Sequence, residues 1–192
     1  MAERTNLPGE EEPGPAMPSS YSAGAPEVDD AERARLTAER DRIRAAYERP
    51  RDDRPPSSAR GVHHVALICA DVERTTHFYQ EVLGFPLTTM FENRDLAGST
   101  HFFFDIGNGN CLAFFDLPGV DPGPYAEVLG GLHHLAISIE VEHWRAAKDR
   151  LDAAGIPYDH VDVTSLYFRG PDGERLELIA DPLRWMYGER VD

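Results

Sequence analysis

His63-His64 and His133-His134 head two nearly identical stretches, Gly61-Val62-His63-His64-Val65-Ala66-Leu67 and Gly131-Leu132-His133-His134-Leu135-Ala136-Ile137, seventy residues apart. A repeat that carries its histidines along implies two related modules, each bringing an imidazole to one shared place. Side chains alternate faces along a strand. His63 therefore shares a face with Val65, Leu67 and Cys69, which suit packing under a helix, whereas His64 shares the other with Ala66 and Ile68. In the same way His133 goes with Leu135 and Ile137, and His134 with Ala136 and Ser138. The small residue two places after His64 and His134 leaves room for a ligand on the open face. A single strand histidine is ordinarily a hydrogen-bonded core residue; two at equivalent points of a duplicated unit favour ligation instead.

Two imidazoles hold a divalent cation weakly, so a carboxylate is sought on the same face. In Glu174-Arg175-Leu176-Glu177-Leu178-Ile179-Ala180 the leucines point one way and Glu177 the other. A carboxylate set among apolar neighbours is costly to bury unless paired or metal-bound; otherwise it is a solvated edge residue. Aligning the last strands of the modules sets Ala113 where the second module has Glu177, which leaves a fourth corner empty. Three protein ligands with open positions are what a catalytic metal requires. A set of two histidines and one carboxylate points first to non-haem Fe(II), although affinity alone does not select against Mn(II), Co(II), Ni(II) or Zn(II). His160 is a candidate acid or base, since imidazole titrates near working pH; the alternative is an exposed strand-end residue. Tyr167, ten residues before Glu177, is a candidate donor to an oxygen on the cation, or else a core tyrosine. His77, His101 and His143 read as structural.

These side chains need a scaffold of strands. The pattern predicts strands at 62–69, 87–94, 100–106 and 111–116 with a helix at 72–83. It then predicts strands at 132–139, 158–162, 164–169 and 175–180 with a helix at 142–154. The order is βαβββ, twice: an α+β fold of two modules, 61–116 and 131–181, forming a cupped mixed sheet. Asn108-Gly109 marks a two-residue hairpin, and Pro171-Asp172-Gly173 marks another turn. Phe102, Phe103, Phe104, Phe114 and Phe115 put alternate rings towards the cup and the rest into the core, an apolar wall suited to a small aromatic substrate. Residues 1–28 are rich in Pro, Gly, Ser and Glu and read as a disordered acidic tail. A mostly polar helix and a proline linker fill 29–60, the helix being a solvated extension or an arm for a second copy. A short capping helix is expected near 182–188 within a terminal segment 182–192.

Of the net charge of −15, most lies from Gly61 onward, where 21 acidic residues face 9 basic ones. Such a surface argues against nucleic acid or an anionic membrane as partner. No apolar run is long enough to span a bilayer, and the N-terminus lacks the apolar core of a secretory signal. Cys69 and Cys111 lie in apolar strands without metal or disulfide spacing, so a reducing cytoplasm is expected.

With these residues in place, the stretch 61–181 resembles the vicinal oxygen chelate superfamily, which includes glyoxalase I, bleomycin-resistance proteins, fosfomycin thiol transferases and type I extradiol dioxygenases. The marks that carry the resemblance are His64 seven residues before Asp71, Phe78-Tyr79 with Val82-Leu83-Gly84, and Pro171-Asp172-Gly173 ahead of Glu177. The resemblance implies a metal held by His64, His134 and Glu177 in a cup made by both sheets, chelating vicinal oxygens of a small-molecule substrate, with a homodimer common. Glyoxalase I commonly uses one carboxylate per module, which Ala113 lacks, and fosfomycin transferases usually carry threonine where this chain has Ala66. The run from His160 through Tyr167 to Glu177 resembles the extradiol signature, departing from it at Tyr158 and Gly170. The leading expectation is an Fe(II) extradiol-type dioxygenase. A redox-neutral lyase, isomerase or thiol transferase is the alternative, and a non-catalytic binder of a small molecule or antibiotic is a third reading.

Overall fold

The computed structural model describes residues 27–59, 61–161 and 164–180, with the backbone of 185–186 and 189–190. These fall into two compact units, one up to Val62 and one from His63.

The first unit is carried by helix α1, Asp30–Tyr47, where a polar helix is expected over 29–48. Asp29 caps it by accepting the Glu32 N–H at 2.8 Å, which satisfies one of the free amides at a helix start. Along its length Arg35 pairs with Glu32 at 2.7 Å and Arg42 with Glu39 at 3.1 Å. Such exposed pairs each contribute only about 0.2–0.5 kcal/mol, and no residue of the helix is buried.

In the second unit, β1 (His64–Cys69), helix α2 (Val72–His77), β2 (Leu87–Glu92), β3 (Thr100–Asp105) and β4 (Cys111–Asp116) make the first module. Its sheet runs β1-β4-β3-β2, with β1 parallel to β4 and the rest antiparallel. The second module repeats this with β5 (Leu135–Ile139), α3 (Val141–Ala153), β6 (Tyr158–Val161), β7 (Ser165–Arg169) and β8 (Arg175–Ala180), in the order β5-β8-β7-β6. The βαβββ order therefore stands in both halves, as two four-stranded mixed sheets. Trp185–Met186 (β9) and Glu189–Arg190 (β10) pair as a small antiparallel ladder where a capping helix was expected. Tryptophan suits extended backbone, which favours that outcome; the rest of 181–192, like the tail 1–26, lies outside the described residues.

The α2 helix stops sooner than the pattern predicts. Phe78–Val82 forms a π-helical turn in which the Leu83 N–H reaches the Phe78 carbonyl. The wider turn lets Phe78, Tyr79, Val82 and Leu83 all enter the core. There Tyr79 meets Phe104 and Phe114, with ring centroids 5.4 and 4.8 Å apart. Each buried aromatic contributes about 1.5–3 kcal/mol through removal from water. Behind the second sheet, Trp144 of α3 is buried and donates its indole N–H to the Leu178 carbonyl at 3.2 Å. No helix among the described residues is long and apolar enough to cross a membrane.

The turn Pro171-Asp172-Gly173 locks the modules together. Asp172 pairs with Arg74 and accepts the Ala70 N–H, while the Tyr79 hydroxyl donates to Glu174 at 2.7 Å. Glu174 also accepts the Asp172 N–H at 3.0 Å, and its side chain lies across Gly170. A Cβ at position 170 would stand 2.0 Å from Glu174 Oε1, so glycine suits this position. Gly170→Ala should displace that carboxylate from both donors and lower stability by about 1–3 kcal/mol. An unchanged midpoint in denaturant melts would show that the turn does not depend on this packing.

Candidate metal centre

Parallel pairing fixes which residues share the open faces. Ala136 lies opposite Glu177 on β5 and β8, and Tyr167 of β7 lies opposite Glu177 on its other side. In the first module Ala66 lies opposite Ala113 in the same register. Ala113 thus occupies the place of Glu177, as the alignment of last strands expects.

His134 and Glu177 meet on the open face of the second sheet. His134 Nε2 is 3.2 Å from Glu177 Oε2, and the Ser165 hydroxyl donates to Oε1 at 2.6 Å. Glu177 is only 5% exposed, and these contacts offset the cost of burying its polar atoms. Tyr167 lies beside them, its ring 5.6 Å from that of His134, with the Arg175 guanidinium 5.4 Å above its face. Arg175 in turn lies 4.0 Å from Glu127 in the segment that joins the modules.

His64 stands at the equivalent place on the first sheet, its ring 6.0 Å from Phe103. It does not join His134 and Glu177: among the described residues no three His, Cys, Asp or Glu side chains of one chain come close enough to hold a metal. The chain therefore brings together two members of the expected set and carries the third on its other sheet.

His160 is placed elsewhere. It pairs with Leu166, which is wholly buried, and its ring lies 5.2 Å from Trp144 under α3. Cross-strand partners share a face, so His160 looks into the core while its neighbour Asp159 shares the face of Tyr167.

His101, structural by its sequence pattern, lies on the same face of the first sheet as His64. It stacks on Phe115 at 3.7 Å and neighbours Phe103 at 4.3 Å. Burial first, and the positive field of His64 second, hold its imidazole pKa below the ordinary value. The alternation His101-Phe103-Asp105 was the available signal. Ser165, whose hydroxyl supports Glu177, gave no signal beyond its polarity at a strand start. Cys69, by contrast, is buried on the helix side, where loss of solvation pushes its thiol up to about 12.

The nitrogen and carboxylate oxygen that meet at His134 and Glu177 suit a borderline divalent cation. Within one chain these two side chains offer part of a donor set for such an ion, and the third candidate, His64, lies on the other sheet.

Residues 61–178 match the family model described as the Glyoxalase/Bleomycin resistance protein/Dioxygenase superfamily. MhqA of Bacillus subtilis (strain 168), named as a provisional ring-cleaving dioxygenase, is 26% identical over 139 residues, covering 67% of this chain and 42% of MhqA. The chain thus spans less than half the length of that relative. A protein of Arabidopsis thaliana named Glyoxylase I 4 is 25% identical over 130 residues, covering 64% of this chain and 72% of the relative. Among solved structures, a glyoxylase/bleomycin resistance protein/dioxygenase domain from Frankia sp. EAN1pec superposes with a TM-score of 0.55 at 22% identity, covering 64% of this chain and 92% of that one. With both modules, their register and the family model in agreement, this chain belongs to the glyoxalase, bleomycin resistance and dioxygenase superfamily.

Proposed function

We propose that the chain is a metal-dependent enzyme whose cation is shared between two copies, His134 and Glu177 coming from one and His64 from the other. The observation that carries this reading is the His134–Glu177 pair at 3.2 Å on the second sheet, with His64 at the equivalent place on the first sheet and outside any three-ligand group among the described residues. A second copy can bring the two faces together, and a closed two-fold dimer would build two such sites. Fe(II) is the favoured ion, with Mn(II), Co(II), Ni(II) and Zn(II) as alternatives. Once bound, it would supply Lewis acidity towards substrate oxygens and open positions for a second reactant.

The remaining work falls to the chain itself. Phe103, Phe115, Phe91 and His101 present rings on the first sheet, an apolar wall for a small aromatic substrate. Tyr167 shares the face of Glu177 and is the candidate donor to a substrate oxygen. Ser165 holds Glu177 in orientation. His160, turned into the core, is given no role.

The substrate class favoured is a catechol or related vicinal diol opened by extradiol cleavage, a reading supported by likeness to MhqA. Redox-neutral glyoxalase-type chemistry is the second reading, supported by likeness to Glyoxylase I 4 over 72% of that protein's length. Fe(II)-loaded protein should take up oxygen in the presence of a catechol. Metal binding with no uptake across a catechol panel would move the assignment to redox-neutral turnover. Failure to retain any of the five cations would leave a small-molecule binder.

A further inference from the structure

His64 is the first residue of β1, but His134 stands one residue before β5, which begins at Leu135. The place of His134 beside Glu177 is therefore set by whatever holds the backbone leading into the strand. The segment that joins the modules supplies such a hold. The Tyr125 hydroxyl donates to the Leu132 carbonyl at 2.7 Å and lies 3.2 Å from the His133 carbonyl. At the equivalent place in the first module the His63 carbonyl takes the Cys111 N–H at 3.1 Å, an amide of the neighbouring strand. We infer that Tyr125 is a positioning residue: it fixes the backbone that delivers His134 to Glu177, and so sets the second-module half of the proposed cation site.

A side chain can place another only if it is itself held. The Arg169 guanidinium lies 5.5 Å from the centre of the Tyr125 ring and donates to the Gly173 carbonyl at 2.8 Å. A Cβ built at Gly173 would stand 3.4 Å from the Tyr125 Cβ, so the ring rests against the Pro171-Asp172-Gly173 turn. That turn leads into β8, which carries Glu177, and Leu132-His133 leads into β5 behind His134. The two approaches thus meet on one tyrosine. Between Tyr125 and His133 the chain turns tightly, the Gly131 N–H closing onto the Val128 carbonyl at 2.8 Å. A Cβ at Gly131 would come within 2.9 Å of Val128 Cγ2, which ties this turn to a residue without a side chain. The inference rests on the proposed cation site for its consequence only, because the hold on the segment before His134 can be measured without any ion.

The test compares the whole wild-type chain with Tyr125→Phe, which keeps the ring beside Arg169 and removes only the hydroxyl. Amide hydrogen exchange, read by mass spectrometry without added metal, should quicken about 2–10-fold over 131–135, the worth of one such hydrogen bond. Over 61–65, the equivalent stretch of the first module, it should stay as in wild type. Zn(II) affinity by chelator competition should fall by a similar factor. Exchange unchanged over 131–135, or quickened equally over 61–65, would show that Tyr125 does not hold this segment in particular and would overturn the inference. So would local loosening with Zn(II) affinity intact, since His134 would then reach its place without Tyr125. Should wild-type protein bind no Zn(II), the cation site falls, and the exchange pattern alone upholds or overturns the hold of Tyr125 on the approach to His134.

Discussion

His64→Ala and Glu177→Ala chains should each lose bound cation and turnover, and equal mixtures refolded together should recover roughly a quarter of the wild-type metal. The fraction follows from two-fold assembly. Roughly half of the dimers are mixed, and each mixed dimer has one site with His64 from one chain and His134 and Glu177 from the other. The second site of that dimer lacks two ligands. Removing a direct ligand should weaken binding beyond the roughly 10–100-fold typical of outer partners. His134→Ala mixed with Glu177→Ala should recover nothing, because both residues lie on the second sheet and Nε2 faces Oε2 there at 3.2 Å. That control separates a shared site from general stabilisation by mixing. Equal recovery in both mixtures, or none in either, would refute the shared arrangement.

How much of this was legible in the sequence depends on how local each feature is. The Asn108-Gly109 turn was, because left-handed backbone at both central positions has a chemical signature. Asn108 and Gly109 have φ of 52° and 73°, and the Asn110 N–H closes onto the Gly107 carbonyl at 2.8 Å. The separation of His64 from Val65 and Leu67 by face was legible from period-two alternation, and the burial along β1 follows it. His160 was not. Its face depends on pairing with Leu166 across a hairpin, and a shift of one residue in that register would have turned it outward. The contact of each first histidine with the second, Nδ1 to Nδ1 at 2.9 Å in His63-His64 and 2.7 Å in His133-His134, was also hidden, since alternation sends adjacent strand residues apart and these pairs sit at the strand starts. Convergence of the three expected ligands was the least readable feature. Spacing assigns residues to faces of a sheet but does not say which two sheets, of one chain or of two, come to face each other.

The largest effect on stability is expected at Tyr79, where the core and the link between modules coincide. Its ring is fully buried against Phe104 and Phe114, and its hydroxyl reaches Glu174 across 95 residues of chain. Tyr79→Ala should cost about 3–5 kcal/mol by emptying the aromatic site. Tyr79→Phe keeps the ring but strips a buried carboxylate of a donor, and should cost about 1–3 kcal/mol. The two losses differ in their dependence on pH. Burial, the dominant cause, raises the Glu174 pKa above its ordinary 4.5, while the Tyr79 hydroxyl opposes that rise. A carboxyl raised on folding stabilises the fold fully below its unfolded value, and the contribution is lost as pH climbs through the higher folded value. Glu174→Gln stays neutral throughout, although its single carbonyl oxygen cannot serve both Tyr79 and the Asp172 N–H. Wild type should therefore lose melting temperature relative to Glu174→Gln as pH rises from mildly acid towards neutral, and Tyr79→Phe, with the opposing donor gone, should lose more over the same range. A wild-type to Glu174→Gln difference that stays level with pH would mean that Glu174 ionises in the fold at no cost, and the link between modules would then be a matter of packing alone.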